Sequence, residues 1–321
     1  MNLSFDVVAL GELLIDFTEA GLSEQGNPLF EANPGGAPCN VLAMLNKLGR
    51  RCAFVGKVGR DMFGDQLRRI VQEASICTDA LMTEPAVHTT LAFVHKTASG
   101  DRDFSFYRNP GADMMITEED LPLSMLQNTR IFHFGTLSMT HPGNRAATKA
   151  AVRVAKESGA IISFDPNLRP PLWESLDEAK EQILWGLSVC DVVKIADNEI
   201  EFLTGCTDFD EAVAKLTSAG PHPTMINVTA GPDGSISYYH GHRVFVPAFL
   251  LGGTIETTGA GDTFCACVLH HVLKYGLDNF TPERLEEMLR FANAAAYLVT
   301  TKKGAIRSMP DVEDVERVLL A

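Results

Sequence analysis

Positive charge is scarce in this chain: 27 lysines and arginines stand against 41 aspartates and glutamates, for a formal net charge of -14. A nucleic-acid surface grips phosphate with clustered cations, so that class of function is excluded, whereas a local site for a charged nucleotide is not. Long apolar runs are missing as well. The stretch Met1–Ala20 has no basic segment and its apolar residues are broken by Glu12 and Asp16, so neither a membrane span nor a secretory leader is expected. Cysteine is sparse and odd in number, seven, scattered mostly through apolar runs, which argues against a disulfide framework and reads as reduced core thiols in a cytoplasmic protein. Cys265 and Cys267 stand too close together for a structural zinc pair. Proline-rich linkers, repeats and low-complexity tracts are absent, leaving a single domain over 1–321. What the chain does have is 45% hydrophobic residues over 321 positions, enough for a large α/β core.

The stretch Thr254–Leu269, T-I-E-T-T-G-A-G-D-T-F-C-A-C-V-L, organises the rest. A small-residue turn, Gly259, Ala260 and Gly261, leads through Asp262 into an apolar, helix-compatible segment whose first N–H groups lack intrahelical partners. Glycine admits a phosphate close to the backbone, and the helix dipole favours its charge. Asp262 would repel a phosphate held there passively. It makes better sense as the base that takes a proton from a nucleophile attacking that phosphate. The same residues would also serve a plain helix cap, and spacing alone leaves the two readings level.

Around this stretch strands and helices alternate. Phe5–Leu10 is a β-branched run ending at Gly11, as a buried parallel strand requires, and Asp16 falls beyond it, within reach of the crevice where open α/β sheets bind ligands. Leu22–Pro34 is polar and rich in turn residues; Gly35-Gly36 then precedes a helix-compatible segment running to Leu48. Asp61 is expected to hold a loop. Thr89–Val94 and Asp103–Tyr107 alternate as half-exposed strands joined by a turn signal at Thr97–Asp101, so a small sheet is expected beside the main one. From Arg130 the rhythm is strongly βαβ: Ile131–Phe134, Asn144–Ser158, Ile161–Phe164, Glu174–Ser188 and Val192–Ile195, with a later strand at Met225–Val228. A doubly wound, mostly parallel sheet flanked by helices follows. Asp165, Asn167 and Arg169 stand at the carboxyl end of one strand. Asn198 and Glu201, three apart on one helix face, and the glycine turn Thr229–Gly234 follow two others.

Glu256–Phe264, E-T-T-G-A-G-D-T-F, resembles the carboxy-terminal signature of the PfkB (ribokinase-like) carbohydrate kinases, D-T-x-G-A-G-D-x-F, with Glu256 in place of the usual aspartate. Asn33–Leu42, N-P-G-G-A-P-C-N-V-L, resembles the amino-terminal motif of that family, and Val58–Gly64 an architectural one; the likeness runs from Gly11 to Pro310. Phe106–Met114, F-Y-R-N-P-G-A-D-M, and Asp165–Trp173, D-P-N-L-R-P-P-L-W, resemble fructokinases within the family. The resemblance implies a β-strand lid over about 17–33 and 87–109, and transfer of the γ-phosphoryl of ATP to the primary hydroxyl of fructose, giving fructose 6-phosphate. It implies Asp262 as the base, with an anion hole of Gly259, Ala260 and Gly261 N–H groups. Asp16, Gly35, Gly36, Asn40, Arg108 and Arg169 would meet the sugar. Asn198, Thr229, Gly231, Gly234, Gly261 and Asn293 would meet ATP, with Asn198 and Glu201 organising Mg²⁺ through water. Glu256 and Thr258 lie where many members hold a monovalent cation, K⁺, and lid strands that pair between subunits imply a homodimer. A 2-keto-3-deoxygluconate kinase shares the fold and several of the arginines. From another class, the resemblance also admits a catalytically silent sugar-sensing or scaffold relative, against which the intact Gly259–Asp262 turn and the N-x-x-E spacing argue.

Overall fold

The structure, a computed structural model, describes residues 5–96, 102–218 and 220–320, so the turn signal at Thr97–Asp101 lies outside the described residues. In chain order the strands are β1 (Phe5–Leu10), β2 (Leu14–Leu22), β3 (Pro28–Gly35), β4 (Cys52–Gly59), β5 (Cys77–Glu84), β6 (Leu91–Lys96), β7 (Arg102–Tyr107), β8 (Thr129–Gly135), β9 (Ile161–Asp165), β10 (Val192–Ala196), β11 (Met225–Thr229), β12 (Ser235–Tyr239) and β13 (His242–Val246). Among the described residues nine strands form one sheet in the order β13-β12-β11-β10-β9-β8-β1-β4-β5, and four form a second in the order β3-β2-β6-β7.

The seven strands from β5 to β11 in the large sheet run parallel, and β12 and β13 close one edge antiparallel. Parallel strands need cover on both faces, and the period of two supplies it. Val8, Phe132, Phe164 and Val193 point to one face with the helices Pro142–Glu157 and Leu176–Val189; Val7, Ile131 and Val192 point to the other with Ala37–Lys47, Ala260–Tyr275 and Pro282–Thr300. Each such side chain removed from water contributes roughly 1.5–3 kcal/mol. The chain adds β4 and β5 on one side of β1 and β8 to β11 on the other. Strand order therefore reverses at β1, and the crevice beyond the carboxyl ends there is where a ligand fits.

The polar stretch Leu22–Pro34 is for the most part strand rather than loop. β3 pairs with β2 antiparallel, Asp16 opposite Asn33, and β2 pairs with β6 in parallel, Asp16 opposite Ala92. Pairing satisfies the backbone, and an outer face left to solvent needs no apolar alternation. Phe17 stacks on Phe93 at 4.8 Å and meets Phe63 of the helix Met62–Glu73 edge-on at 5.6 Å, which anchors the small sheet to the main body. Asp61 caps that helix by accepting from the Phe63 and Gly64 N–H groups and also accepts from Thr89, so it does hold the loop at the entry to β6.

Candidate active site

The helix Ala260–Tyr275 begins at the crevice because Gly259 turns the chain with φ +79°, a left-handed conformation glycine takes without strain. No side chain caps this helix, and among the described residues the N–H groups of Gly261 and Asp262 have no partner, while that of Ala260 donates to the Thr257 carbonyl at 3.3 Å. Gly259, Gly261 and Asp262 line a cavity of ≈ 390 Å³ together with Asp16, Gly36, Asn40, Arg169 and Thr258. That volume suits a small ligand held by converging polar groups.

Carboxylates dominate its wall. Asp262 accepts from Asn40 Nδ2 at 2.7 Å. Burial raises its pKa to about 6, the Asp165 carboxylate adding to the rise while Asn40, Lys194 and Arg169 oppose it. Asp16 is raised to about 7, by burial first, with Arg169 opposing and the charges of Glu256 and Asp262 adding. Space for Asp16 depends on glycine, since a Cβ at Gly35 would stand 2.1 Å from its Oδ2. Gly36, at φ +126°, passes so close to the Glu12 carbonyl that a Cβ would meet that oxygen at 2.4 Å.

Sequence reasoning passed over three charged residues at this site. Glu12, buried and raised to about 7 by loss of solvation, accepts from the Ala37 N–H at 2.8 Å and so fixes the start of the helix that carries Asn40. Lys194 lines the cavity and lies 3.3 Å from both oxygens of Asp165. Glu199, also buried, accepts from Ala196 N–H at 2.8 Å and from Leu168 N–H at 2.7 Å, tying the loop after β9 to the end of β10. Burial raises its pKa, against the pull of Lys194. The available signals were a lone charge inside the apolar run V-V-K-I and a carboxylate in the first turn of a helix, where it can reach back to an open N–H.

Other expected residues lie outside the cavity wall. The Arg108 guanidinium is buried in a network of Asp113 at 2.7–2.8 Å, Thr140 Oγ1 at 2.8 Å and the Leu137 carbonyl at 2.9 Å. Asn198 and Glu201 face solvent. Thr229 ends β11, Gly231 at φ +50° turns the chain on the surface, and a Cβ at Gly234 would meet the Val246 carbonyl at 2.2 Å. Asn293 spends its amide on structure, accepting from Ser235 Oγ and donating to the Val246 and Pro247 carbonyls. Glu256 accepts from the Gly304 N–H at 2.8 Å.

The profile of the pfkB family of carbohydrate kinases matches residues 4–312. Fructokinase-2 of Solanum habrochaites is 41% identical over 98% of this chain and 95% of its own, and the probable fructokinase-2 of Arabidopsis thaliana is 40% identical over 95% and 92%. Among solved structures, fructokinase with bound ATP from Xylella fastidiosa superimposes with a TM-score of 0.89 at 31% identity, covering 98% of both chains. A putative ribokinase II from E. coli, at 24% identity and a TM-score of 0.86, shares the fold. The architecture is thus ribokinase-like, and a match spanning residues 4–312 with relatives alike over nearly their full length makes this chain a member of the pfkB family of carbohydrate kinases.

Proposed function

We propose that this protein transfers the γ-phosphoryl of ATP to the primary hydroxyl of fructose. The observation that carries the reading is Asp262: a carboxylate with pKa near 6, in the first turn of a helix whose N–H groups are open, over a cavity that Asp16, Asn40 and Arg169 also line. A base with that proton affinity is mostly ionised at neutral pH and still accepts a proton readily. In the reaction the sugar oxygen bonds to the γ-phosphorus as its proton passes to Asp262, and the bond to the β-phosphate oxygen of ADP breaks. Gly261 and Asp262 N–H groups stabilise the charge on the transferred group. Asp16, Gly36, Asn40 and Arg169 orient the sugar, while Gly35 gives Asp16 its room. Arg108 serves from behind, joining the end of β7 to Asp113. Thr229, Gly231 and Gly234 form the turn on the ATP side.

The ion in this reading is Mg²⁺ arriving with ATP, which keeps several waters and takes its other ligands from phosphate oxygens; among the described residues no group of three or more His, Cys, Asp or Glu could hold a metal by itself. Asn198 and Glu201, exposed on the first turns of the helix after β10, are the residues that would orient such water, while Glu199 holds the loop beneath them. When bound, Mg²⁺ neutralises phosphate charge. Glu256 and Thr258 offer oxygens for K⁺, and a comparison of rates in K⁺ and in tetramethylammonium, for wild type and Glu256→Gln, tests that site. A homodimer through the lid strands and a cytoplasmic setting complete the reading; the seven cysteines are all unpaired.

The test is coupled ADP release with Mg-ATP across fructose, 2-keto-3-deoxygluconate, ribose, glucose and adenosine. Fructose is expected to lead. Preference for the keto-acid would reassign Arg169 to a carboxylate, and silence on every sugar would overturn the enzyme reading. Asp262→Asn is expected to lower kcat by several orders of magnitude with ATP affinity nearly unchanged.

A further inference from the structure

We infer that Lys194 is a catalytic residue that binds the transferring phosphoryl group, with Asp165 holding it in place; the inference rests on the kinase reading above. β10 sends Val193 and Ile195 to one face of the sheet and Lys194 to the other, beneath the helix that starts at Ala260. A Cβ built on Gly261 would stand 3.0 Å from Lys194 Nζ, so the ammonium lies against the first turn of that helix, beside the open N–H groups. Its side chain is 8% exposed, at the cavity wall.

An ammonium carries three donors, and among the described residues the partner of Lys194 is Asp165 alone, at 3.3 Å to each oxygen. Asp165 Oδ2 receives no hydrogen bond, so the contact to that oxygen is a charge pair rather than a directed bond. A buried donor left unspent costs free energy, and an anionic oxygen arriving in the cavity recovers it. The surrounding carboxylates, Asp165, Glu199 and Asp262, keep the lysine protonated against the effect of burial. The second cation of the wall, Arg169, acts on both Asp16 and Asp262, whereas Lys194 acts on Asp262 and lies against Gly261, which places Lys194 at the phosphoryl end. As the bond to ADP breaks and the bond to the sugar forms, charge builds on the peripheral oxygens of the transferred group. A fixed ammonium stabilises it without reorganisation.

The experiment uses the full chain and the variants Lys194→Met and Lys194→Arg. Calorimetric titration with Mg-ATP and Mg-ADP gives an affinity ratio that reports the γ-phosphoryl alone. Lys194→Met is expected to lower that ratio about tenfold and to cut kcat by about 10²–10³, with KM for fructose within about threefold of wild type; Lys194→Arg recovers part of both losses. Where Lys194→Met leaves Asp165 unpaired and the protein unfolded, Lys194→Met/Asp165→Asn removes both buried charges and is read in the same way. An unchanged ATP-to-ADP ratio in a folded variant overturns the assignment. The ratio needs no sugar: a lowered ratio in a protein silent on fructose sinks the fructose reading and supports Lys194, and fructose turnover with an unchanged ratio does the reverse.

Discussion

Glu12, Asp16 and Asp262 share one cavity and each holds its proton more tightly than a carboxylate in water, to about 7, 7 and 6. For activity the sign is simple: the base, Asp262, must be ionised, so kcat/KM for fructose should fall on the acid side with a midpoint near pH 6, and a pH–rate profile checks it. For stability the sign is opposite. A carboxyl whose folded pKa is raised binds more protons folded than unfolded between its ordinary value and the raised one, so stability is lost as pH rises through that window. Glu12→Gln keeps an oxygen for the Ala37 N–H and removes the charge. It should match wild type near pH 4 and exceed it by about 1–3 kcal/mol at pH 8, measured by urea unfolding at the two pH values. In the residues themselves a placement at the cavity was legible chiefly at the glycine turn that leads into Asp262. Glu12 and Lys194 are marked locally only as lone charges in apolar runs, which does not say where they end up, and they reach the site because β1 and β10 end at the same crevice.

Elements were easier to read than their pairing. The parallel strands announce themselves as short β-branched runs, but β3 is polar and was marked only by the resemblance, within the lid over about 17–33, and β12 and β13 form a hairpin whose signal, S-I-S-Y-Y and H-R-V-F-V around His240-Gly241 at φ +46° and +82°, went unread. Arg108 shows why placement matters. Its position in F-Y-R-N-P suggested contact with the sugar, yet its guanidinium and Asp113 are each 1% exposed and face one another. Removing one member of such a pair strands the other charge and costs about 3–5 kcal/mol. Arg108→Ala should therefore lower stability by that order while KM for fructose in the folded fraction moves less, and Arg108→Met/Asp113→Asn should regain part of the loss. Unchanged stability with a collapsed KM would return Arg108 to the sugar.

At the scale of the whole molecule, the small four-stranded sheet is the part whose surface the fold leaves unfinished. Among the described residues Leu22 is 70% exposed and Tyr107 66%, and Leu29 and Phe30 are exposed on the neighbouring strand. These four belong to β2, β3 and β7 of the small sheet, where β3 and β7 are the edges and carry unpaired backbone groups. Apolar side chains beside open strand edges are what a second copy of the same sheet would cover, since a two-fold contact uses one patch twice. Light scattering should give a particle of twice the 34.9 kDa chain mass. Leu22→Asp/Leu29→Asp places charge in that contact without touching the cavity and should yield a monomer; if the small sheet acts as the proposed lid, KM for fructose should rise with the loss of the partner. A wild-type protein that runs as a monomer at micromolar concentration would remove the dimer and leave the lid to act within one chain.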